Sequence, residues 1–362
     1  MRIALVGTRG IPANYGGFET FAEQLSIRLV QRGHEVTVYC RERYVERSFQ
    51  GVSLIFLPTI RHKYLDTIAH TFISTMWLLG HRVDVALYCN AANAIFTLLP
   101  RIRGIPVILN VDGIERRRKK WNAFAKAWYL MSEFLATVLP TGIVTDAGTI
   151  EQYYRERYGK KSTLISYGAD VDLATTDETL RRLGLERRRY FLYVSRLEPE
   201  NHALEVRQAF EAVDTDLKLA IVGDAPYATG YIALVRDTKD PRVILPGAIY
   251  GQGYRELGTF CFAYIQATEV GGTHPALIEA MGRGALVLYR NNPENAEVCG
   301  PAGIPFEDRE DLKEKIRFVL EMPEEERNRY RVSAVKRVQE RYSWDAVTTQ
   351  YENLLVGLLK RP

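Results

Sequence analysis

Short apolar runs alternate with stretches of helical periodicity along most of this chain. In the first part, apolar runs predict strands at 2–7, 35–40, 52–58, 83–89, 106–111 and 142–145. A second series predicts strands at 190–195, 217–222, 242–245, 260–267, 285–289 and 303–306. Such alternation is typical of parallel, doubly wound sheets. We therefore expect two Rossmann-like α/β domains facing a cleft, with ligands at the carboxyl ends of the strands.

The boundary between the predicted domains falls at the glycine turn Tyr167-Gly168-Ala169-Asp170, before a charged segment, 178–189, that we expect to be helical. Residues 1–166 form the predicted N-terminal domain and residues 167–343 the C-terminal domain. Residues 344–362 contain apolar residues at helical spacing, and we expect them to form a helix that returns to the first domain. The 362 residues, 46% of them hydrophobic, suffice for two cores.

Composition excludes several classes of protein. The formal net charge of +4 is far from the strongly basic balance of a dedicated nucleic-acid binder. The 4 cysteines are scattered without a CxxC pair, so we expect buried thiols in a reducing compartment. The N-terminal sequence predicts no signal peptide, and the longest apolar stretch, 67–80, is too short to span a bilayer. We expect a cytoplasmic protein.

The strongest chemical signal is the glycine turn in Ala267-Thr-Glu-Val-Gly-Gly-Thr-His-Pro-Ala-Leu-Ile-Glu-Ala-Met281, between a predicted strand and a helix. At such a junction backbone N–H groups and the positive end of the helix dipole face one spot, and glycines let phosphate approach. Glu279 lies beside that spot, where its carboxylate can accept hydrogen bonds from sugar hydroxyls. These features suit a nucleotide-sugar. A tight turn with Thr273 or His274 capping the helix is the alternative.

The glycine-rich loop 7–19 follows the first strand but does not match the GxGxxG pattern, which disfavours hydride transfer. Gly16 and Gly17 allow a ligand to approach the helix that follows. Arg9 is placed to neutralise phosphate or orient an acceptor, and we assign Asn14 and Tyr15 to the acceptor side with it. A flexible loop with an exposed arginine is the alternative.

Two further candidates lie at predicted strand ends. Arg196 follows the first strand of the second domain, where its planar guanidinium fits a diphosphate whose leaving charge must be stabilised. A surface salt bridge is the alternative for Arg196. Asp112 can orient or deprotonate an acceptor hydroxyl, and an Asx turn closed by Gly113 is the alternative there.

A basic run beside aromatic residues predicts membrane contact. Basic side chains near aromatic ones hold proteins on anionic leaflets, each charge contributing about 1 kcal/mol. A solvated face is the alternative for any single residue of the run. The residues concerned are Arg116, Arg117, Arg118, Lys119, Lys120 and Trp121. The histidines are isolated and no DxD pair ends a strand, so we expect no metal and no other cofactor.

Taken together, the chain resembles glycosyltransferase family 4, retaining enzymes of the GT-B fold, over essentially its full length. The matching residues are Gly16-Gly17, Tyr167-Gly168-Ala169-Asp170, Arg196-Leu197, Gly223-Asp224, Gly247, the helix at 275–281 and the terminal segment 342–345. The opening segment 6–20, with 110–113 and 269–273, is similar to a narrower subgroup. That subgroup includes bacterial rhamnosyltransferases of capsule and cell-wall polysaccharide assembly.

The resemblance implies that the second domain binds the donor. Glu279 would bind the ribose, the amides of Gly271, Gly272 and Thr273 the diphosphate together with Arg196, and residues near Gly247 the base. In this family the leaving phosphate is thought to help deprotonate the acceptor. The resemblance therefore implies no obligatory protein nucleophile.

Two positions depart from the family pattern. The first glutamate of the Glu-x7-Glu motif would fall at Gly271, whereas here the carboxylate is Glu269. The family's lysine falls at Asn201, so Arg196, Arg9 and backbone amides would bind the diphosphate without it. We count Asn201 among the donor-binding residues, and Glu269 among the catalytic candidates with Arg196 and Asp112.

The sequence thus predicts a retaining, metal-independent glycosyltransferase peripherally attached to the inner face of the cell membrane. It would transfer L-rhamnose from dTDP-rhamnose to a lipid-linked glycan acceptor in bacterial surface polysaccharide assembly. A UDP-sugar donor is the alternative within this class. Outside it, the alternatives are a nucleotide-sugar epimerase, a phosphorylase of the same architecture and a non-catalytic glycan-binding subunit.

Overall fold

The computed structural model describes residues 1–13, 16–43, 46–62, 65–118, 121–225 and 228–360. The chain divides into two compact units, each containing one sheet. Unit 1 comprises residues 1–167 and 344–362, and unit 2 comprises residues 168–343.

The strands follow one another in chain order, eight in the described part of unit 1 and six in that of unit 2. Those of unit 1 are β1 (Arg2–Val6), β2 (Glu35–Cys40), β3 (Ser48–Phe49), β4 (Val52–Phe56), β5 (Val85–Cys89), β6 (Val107–Asn110), β7 (Gly142–Thr145) and β8 (Thr163–Leu164). Those of unit 2 are β9 (Tyr190–Val194), β10 (Lys218–Val222), β11 (Val243–Gly247), β12 (Ala263–Gln266), β13 (Leu286–Arg290) and β14 (Gly303–Phe306).

Helices fill most of the connections between these strands. They are α1 (Gly17–Gln31), α2 (Asp66–Leu79), α3 (Leu98–Ile102), α4 (Ala123–Val138), α5 (Gly148–Tyr158), α6 (Glu178–Arg182), α7 (Ala203–Glu211), α8 (Thr229–Arg236), α9 (Gly251–Phe260), α10 (Pro275–Gly282), α11 (Pro293–Cys299), α12 (Arg309–Glu321), α13 (Glu324–Arg341) and α14 (Trp344–Leu359). Within the described residues, no helix combines the length and hydrophobicity needed to span a bilayer.

Both sheets are parallel, apart from the antiparallel pairing of β3 with β4. The strand order is β3-β4-β2-β1-β5-β6-β7-β8 in unit 1 and β11-β10-β9-β12-β13-β14 in unit 2. In each unit, successive strands are therefore added first on one side of the first strand and then on its other side. This reversal lies beside β1 in unit 1 and beside β9 in unit 2. Ligands of such sheets bind outside the carboxyl ends of the strands at this reversal.

The strands are apolar because helices cover both faces of each sheet. In β9, Tyr190, Phe191 and Leu192 are all fully buried. The Tyr190 hydroxyl donates a hydrogen bond to the Leu257 carbonyl, so this buried polar atom is satisfied. The four cysteines are free and buried, as predicted.

Helix α14 belongs to unit 1. The Tyr351 hydroxyl accepts a hydrogen bond of 2.9 Å from Asn110 Nδ2, and its ring lies 5.2 Å from that of Phe21. Glu352 bonds both Arg32 and His34, each at 2.8 Å. The helix thereby supports the end of β6, where the chain enters the loop of Asp112.

Two predicted elements differ from the structure, and two short strands were not predicted. Phe260 ends α9 instead of opening a strand, because an apolar run does not distinguish a helix end from a strand start. The helix predicted at 178–189 ends at Arg182, since Gly184 adopts a left-handed φ of 65° that stops it. Strands β3 and β8 are two residues long, too short to give an apolar run.

Candidate active site

Two loops meet at the reversal point of the unit 2 sheet. Strands β9 and β12 are parallel neighbours, so their carboxyl ends lie at the same edge. The Glu269 N–H donates a 3.1 Å hydrogen bond to the Glu200 carbonyl, joining the two loops. His202 adds a second link, with Nε2 3.0 Å from the Glu269 carboxylate and Nδ1 2.7 Å from that of Glu205. The loops of Arg196 and of the glycine turn are thus tied together.

Arg196 lies two residues after the end of β9, on a fixed backbone. Its carbonyl accepts hydrogen bonds from Asn201 Nδ2 at 2.6 Å and from the Glu198 N–H at 2.7 Å. Its side chain is one-third exposed, and Nη2 lies 3.7 Å from the Glu198 carboxylate. A partly exposed guanidinium on a fixed backbone can bind a phosphate with two parallel hydrogen bonds.

Asn201 is only 2% exposed. Its side-chain Nδ2 donates to the Arg196 carbonyl, and its backbone carbonyl accepts a 2.6 Å hydrogen bond from the Tyr193 hydroxyl. The side chain therefore fixes the loop that carries Arg196 and does not reach outward. The donor contact of Asn201 stays a prediction.

The glycine turn leads directly into α10, whose first residue is Pro275. A Cβ at Gly271 would lie 2.6 Å from His274 Nε2, so a side chain there would displace the His274 ring. His274 Nδ1 lies 2.9 Å from Asn295 Oδ1, and Asn295 Nδ2 donates to the Thr268 carbonyl at 3.1 Å. The side chain of Asn295 therefore fixes the turn from both sides, at the positive end of the α10 dipole.

Glu279 lies in α10 with its side chain 14% exposed. Its carboxylate is 3.6 Å from Arg283 Nη1, and the Arg283 guanidinium lies over the Tyr254 ring at 4.6 Å. Burial and the Glu279 charge raise the pKa of Tyr254 well above its ordinary value, so its hydroxyl stays a hydrogen-bond donor. Sequence reasoning missed Tyr254 and Arg283. The spacing of Arg283, four residues after Glu279, is the signal that could have identified it.

Glycines bring three strand-end loops together. Gly223, with a φ of 149°, follows β10 so closely beside Ser195 that a Cβ would overlap the Ser195 carbonyl oxygen. The Gly223 N–H donates a 3.0 Å hydrogen bond to the carbonyl of Gly247, which ends β11 at a φ of 84°. Apart from its two chain neighbours, no atom of the described residues lies within 4 Å of a Cβ built at Gly247, so there is open space beside it.

In unit 1, the loop after β1 is occupied by carboxylates of α1. The Arg9 N–H donates to the buried Glu19 carboxylate at 2.9 Å, and burial raises the pKa of Glu19 while this hydrogen bond opposes the shift. Gly16 caps α1 and Gly17 is its first residue. Glu19 therefore lies where the sequence predicts a ligand, and its position in the first turn of the helix was the missed signal.

The Arg9 guanidinium lies 3.7 Å from Asp66, whose carboxylate also bonds Arg41 at 2.8 Å. Its charge is thereby partly compensated within unit 1. Asn14 and Tyr15, also predicted on the acceptor side, lie outside the described residues.

Asp112 follows β6 with a left-handed φ of 53°. Its N–H donates to Asn110 Oδ1 at 3.1 Å, so the side chain of Asn110 forms an Asx turn that ends at Asp112. Its carboxyl group accepts a 3.4 Å hydrogen bond from the Tyr167 hydroxyl and also interacts with Asp146. Burial and the nearby charge of Glu115 raise the pKa of Asp112. Asp112 therefore both belongs to a structural turn and carries a carboxyl group with a raised pKa.

Two arginines of the basic run are paired with carboxylates inside unit 1. Arg116 lies 2.9 Å from the Glu133 carboxylate, and Arg118, only 7% exposed, lies 2.6 Å from Glu115. The Arg118 side chain thus lies against a counter-charge inside unit 1, and its membrane contact stays a prediction. Arg117 is exposed. Trp121 packs against Tyr129 with ring centroids 5.4 Å apart, while Lys119 and Lys120 lie outside the described residues.

Two family models cover most of the chain. Residues 15–173 match glycosyltransferase family 4, and residues 176–337 match glycosyl transferases group 1. The chain is therefore a glycosyltransferase family 4-like protein. No curated protein sequence matches it significantly.

Solved structures show the same fold. Sucrose-phosphate synthase from Thermosynechococcus elongatus is 16% identical with a TM-score of 0.82, over 99% of this chain and 98% of that one. HepE from Anabaena, solved with UDP-glucose, is 14% identical with a TM-score of 0.80, over 99% and 100%. WaaG, a glycosyltransferase involved in lipopolysaccharide biosynthesis, is 16% identical with a TM-score of 0.74, over 98% and 100%. The predicted GT-B fold is confirmed.

Proposed function

We propose that this glycosyltransferase uses a nucleotide diphosphate sugar, bound at the reversal point of the unit 2 sheet. One observation carries the proposal. The loops of Arg196 and of Gly271-Gly272 leave neighbouring parallel strands and are tied together by the hydrogen bonds of Glu269 to Glu200 and His202. A cation and a helix N-terminus on linked loops provide positive charge for a diphosphate.

In this proposal, different residues of the site bind different parts of the donor. Arg196 and the amides of Gly271, Gly272 and Thr273 bind the diphosphate and stabilise the charge that develops as it leaves. The Glu279 carboxylate accepts hydrogen bonds from the ribose hydroxyls while Arg283 holds it in place. The base lies near Gly247, where the missing side chain leaves the strand edge open.

The proposed transfer retains the anomeric configuration. The bond between the sugar and the diphosphate breaks, and a bond to the acceptor hydroxyl forms on the same face. The hydroxyl proton passes to the leaving phosphate, so no protein nucleophile takes part. Asp112 orients the acceptor. Because Arg196 and the α10 dipole supply the positive charge, we propose that transfer requires no metal.

We further propose dTDP-rhamnose as donor and a lipid-linked glycan as acceptor, with the protein attached peripherally to the inner face of the cell membrane. This proposal is supported by the similarity of segment 6–20 to rhamnosyltransferases of surface polysaccharide assembly. A UDP-sugar is the second candidate, favoured by the likeness to HepE, which was solved with UDP-glucose.

A thermal-shift panel of dTDP-rhamnose, UDP-glucose and a GDP-sugar tests the donor. Binding to the native state raises its stability, by about 2.7 kcal/mol at a ligand concentration near 100 times Kd. We expect dTDP-rhamnose to raise Tm most. A larger shift with UDP-glucose would favour the second candidate, and no shift with any nucleotide-sugar would overturn the donor site.

Turnover separates the remaining functions. An epimerase would interconvert free nucleotide-sugars without an acceptor, and a phosphorylase would require phosphate. A glycan-binding subunit would show no donor turnover even with a crude lipid extract. We expect turnover that depends on the lipid extract and not on phosphate.

A further inference from the structure

Helix α2 is arranged opposite to an ordinary surface helix. Its fully buried side includes the polar residues His70, Thr71 and Ser74, whereas Phe72 and Met76 are 47% and 51% exposed. Surface helices of globular proteins normally turn their apolar side inward and their polar side to water. The exposed apolar side of α2 therefore requires an explanation outside the core.

Helix α4 shows the same inversion. Ser132, Glu133 and Thr137 are buried, while Met131 and Phe134 are 41% and 54% exposed. Glu133 can be buried because Arg116 neutralises it at 2.9 Å. A second helix of unit 1 thus keeps polar groups inside and presents apolar ones to solvent.

The two helices belong to one surface. Both contact the 3-10 helix Ala91–Thr97, and the Phe72 ring lies 6.0 Å from that of Phe96 in this segment. Helix α3 follows, with Ile102 71% exposed, and Arg101 Nη1 donates to the Val138 carbonyl of α4 at 3.0 Å. We call this surface the apolar face and define it by Phe72, Met76, Ile102, Met131, Phe134 and Val138.

The charges around the apolar face have one sign. Between residues 65 and 104 and between 121 and 138, all of which are described, the exposed charged residues include Arg82, Arg101, Arg103 and Lys126. No acidic side chain is exposed in these two ranges. The acidic residues present there are paired, Asp66 with Arg41, Asp84 with Arg2 and Glu133 with Arg116.

We infer that the apolar face inserts into the headgroup region of an anionic bilayer. Apolar side chains on helices lying in the membrane plane bury in the interface, and flanking lysines and arginines are attracted to anionic lipids. Basic charges without an exposed acidic one in these two ranges favour lipid over a second copy of this chain, because two such faces in contact would bring like charges together.

This inference deepens the proposed membrane attachment and moves it from the basic run at 116–121 to helices α2, α3 and α4. It depends on the proposed function only for its purpose, access to a lipid-linked acceptor. Vesicle binding is measured without donor or acceptor, so it fails or succeeds independently of sugar transfer.

Flotation with vesicles tests the inference. We expect the wild type to float with vesicles of phosphatidylcholine and phosphatidylglycerol, and less with phosphatidylcholine alone. The double variant Met131→Gln/Phe134→Gln should bind the vesicles at least about tenfold more weakly, because two side chains lose their apolar contact with lipid. Phe318→Gln in unit 2 is the matched control, since Phe318 is 48% exposed, and it should float like the wild type.

Charge reversal tests the electrostatic half. Arg103→Glu/Lys126→Glu should reduce flotation on the anionic vesicles, whereas Arg236→Glu/Lys239→Glu, exposed in unit 2, should not. All four positions are exposed, and far-UV circular dichroism checks that each variant is folded. The inference is overturned if the wild type does not float, or if the variants float equally well. A wild-type dimer that Phe134→Gln dissociates, without vesicle binding, would also overturn it.

Discussion

The His202 imidazole lies 3.0 Å from the Glu269 carboxylate, so a residue after β9 holds a residue after β12. Glu269 therefore acts in the proposal as a positioning residue for the glycine turn. We predict that Glu269→Ala raises the KM for the donor about tenfold, whereas Glu269→Gln, which keeps an oxygen acceptor for His202, retains most of the affinity. Steady-state kinetics at varied donor concentration distinguish the two variants.

The pattern of kcat distinguishes positioning from direct catalysis by Glu269. If the carboxylate acts on the sugar itself, Glu269→Gln and Glu269→Ala should lose kcat alike while KM changes little. That result would restore Glu269 as a catalytic residue and contradict the positioning role.

Glu279→Gln should reduce kcat/KM by about 10- to 100-fold, because a hydrogen bond between a charged group and a ribose hydroxyl contributes roughly 1.5–3 kcal/mol. Glutamine preserves the shape of the side chain beside Arg283. The control is Glu325→Gln, which removes an exposed surface carboxylate of the same unit that pairs with the exposed Arg329. Equal kcat/KM values for Glu279→Gln and Glu325→Gln would remove Glu279 from the donor site.

Gly223→Ala should destabilise unit 2 more than Gly251→Ala. Both glycines have a positive φ, 149° and 60°, so both substitutions carry backbone strain. Only at Gly223 does the new Cβ overlap a backbone atom, the Ser195 carbonyl oxygen, whereas nothing lies within 4 Å at Gly251. We expect about 1 kcal/mol of destabilisation at Gly251 and several times that at Gly223, measured by urea unfolding with far-UV circular dichroism. Similar losses of stability in the two variants would show that the loop after β9 shifts at little energetic cost to accommodate the new Cβ.

His70 makes the stability of unit 1 depend on pH. Burial and the nearby Arg41 charge lower the pKa of His70 from 6.5 to about 4. Between these values the unfolded chain binds a proton that the native protein does not, so the free energy of unfolding falls as pH drops from 6.5 towards 4. The loss reaches up to about 3 kcal/mol.

Urea unfolding at about pH 5 and about pH 7.5 measures this effect. Tryptophan fluorescence reports on unit 1, because all four tryptophans, Trp77, Trp121, Trp128 and Trp344, belong to it. His70→Gln should reduce the difference between the two pH values, while His81→Gln, at an exposed position, should leave it unchanged. A difference that persists in His70→Gln would assign the pH dependence to other groups.

Apolar periodicity predicted the two parallel sheets, because buried strands need continuous apolar runs. It also predicted that Arg196 and the glycine turn follow strands. The partners that constrain these residues were not predictable, since His202 and Glu269 are 67 residues apart and meet only through strand pairing. In the sequence, Asn201 stands where the family pattern has a lysine, and it therefore suggested the loss of a cation. In the structure, its side-chain Nδ2 donates a hydrogen bond to the Arg196 carbonyl.

The apolar face was hidden in the sequence for a related reason. Residues 67–80 and 123–138 have helical patterns whose apolar sides would ordinarily be placed inward. Only the structure shows His70 and Glu133 buried with Phe72 and Phe134 outside. Their orientation is set by packing against the sheet and by the pairing of Glu133 with Arg116, which no local pattern reveals.

Sugar transfer from a radiolabelled donor to a lipid extract tests the central claim most directly. With dTDP-rhamnose, or with UDP-glucose as the second candidate, we predict that label enters the organic phase with the wild-type protein. Arg196→Ala, which removes the proposed diphosphate cation, should reduce that transfer by about 100-fold or more. No labelled lipid from any nucleotide-sugar, or equal transfer by the wild type and Arg196→Ala, would contradict the account.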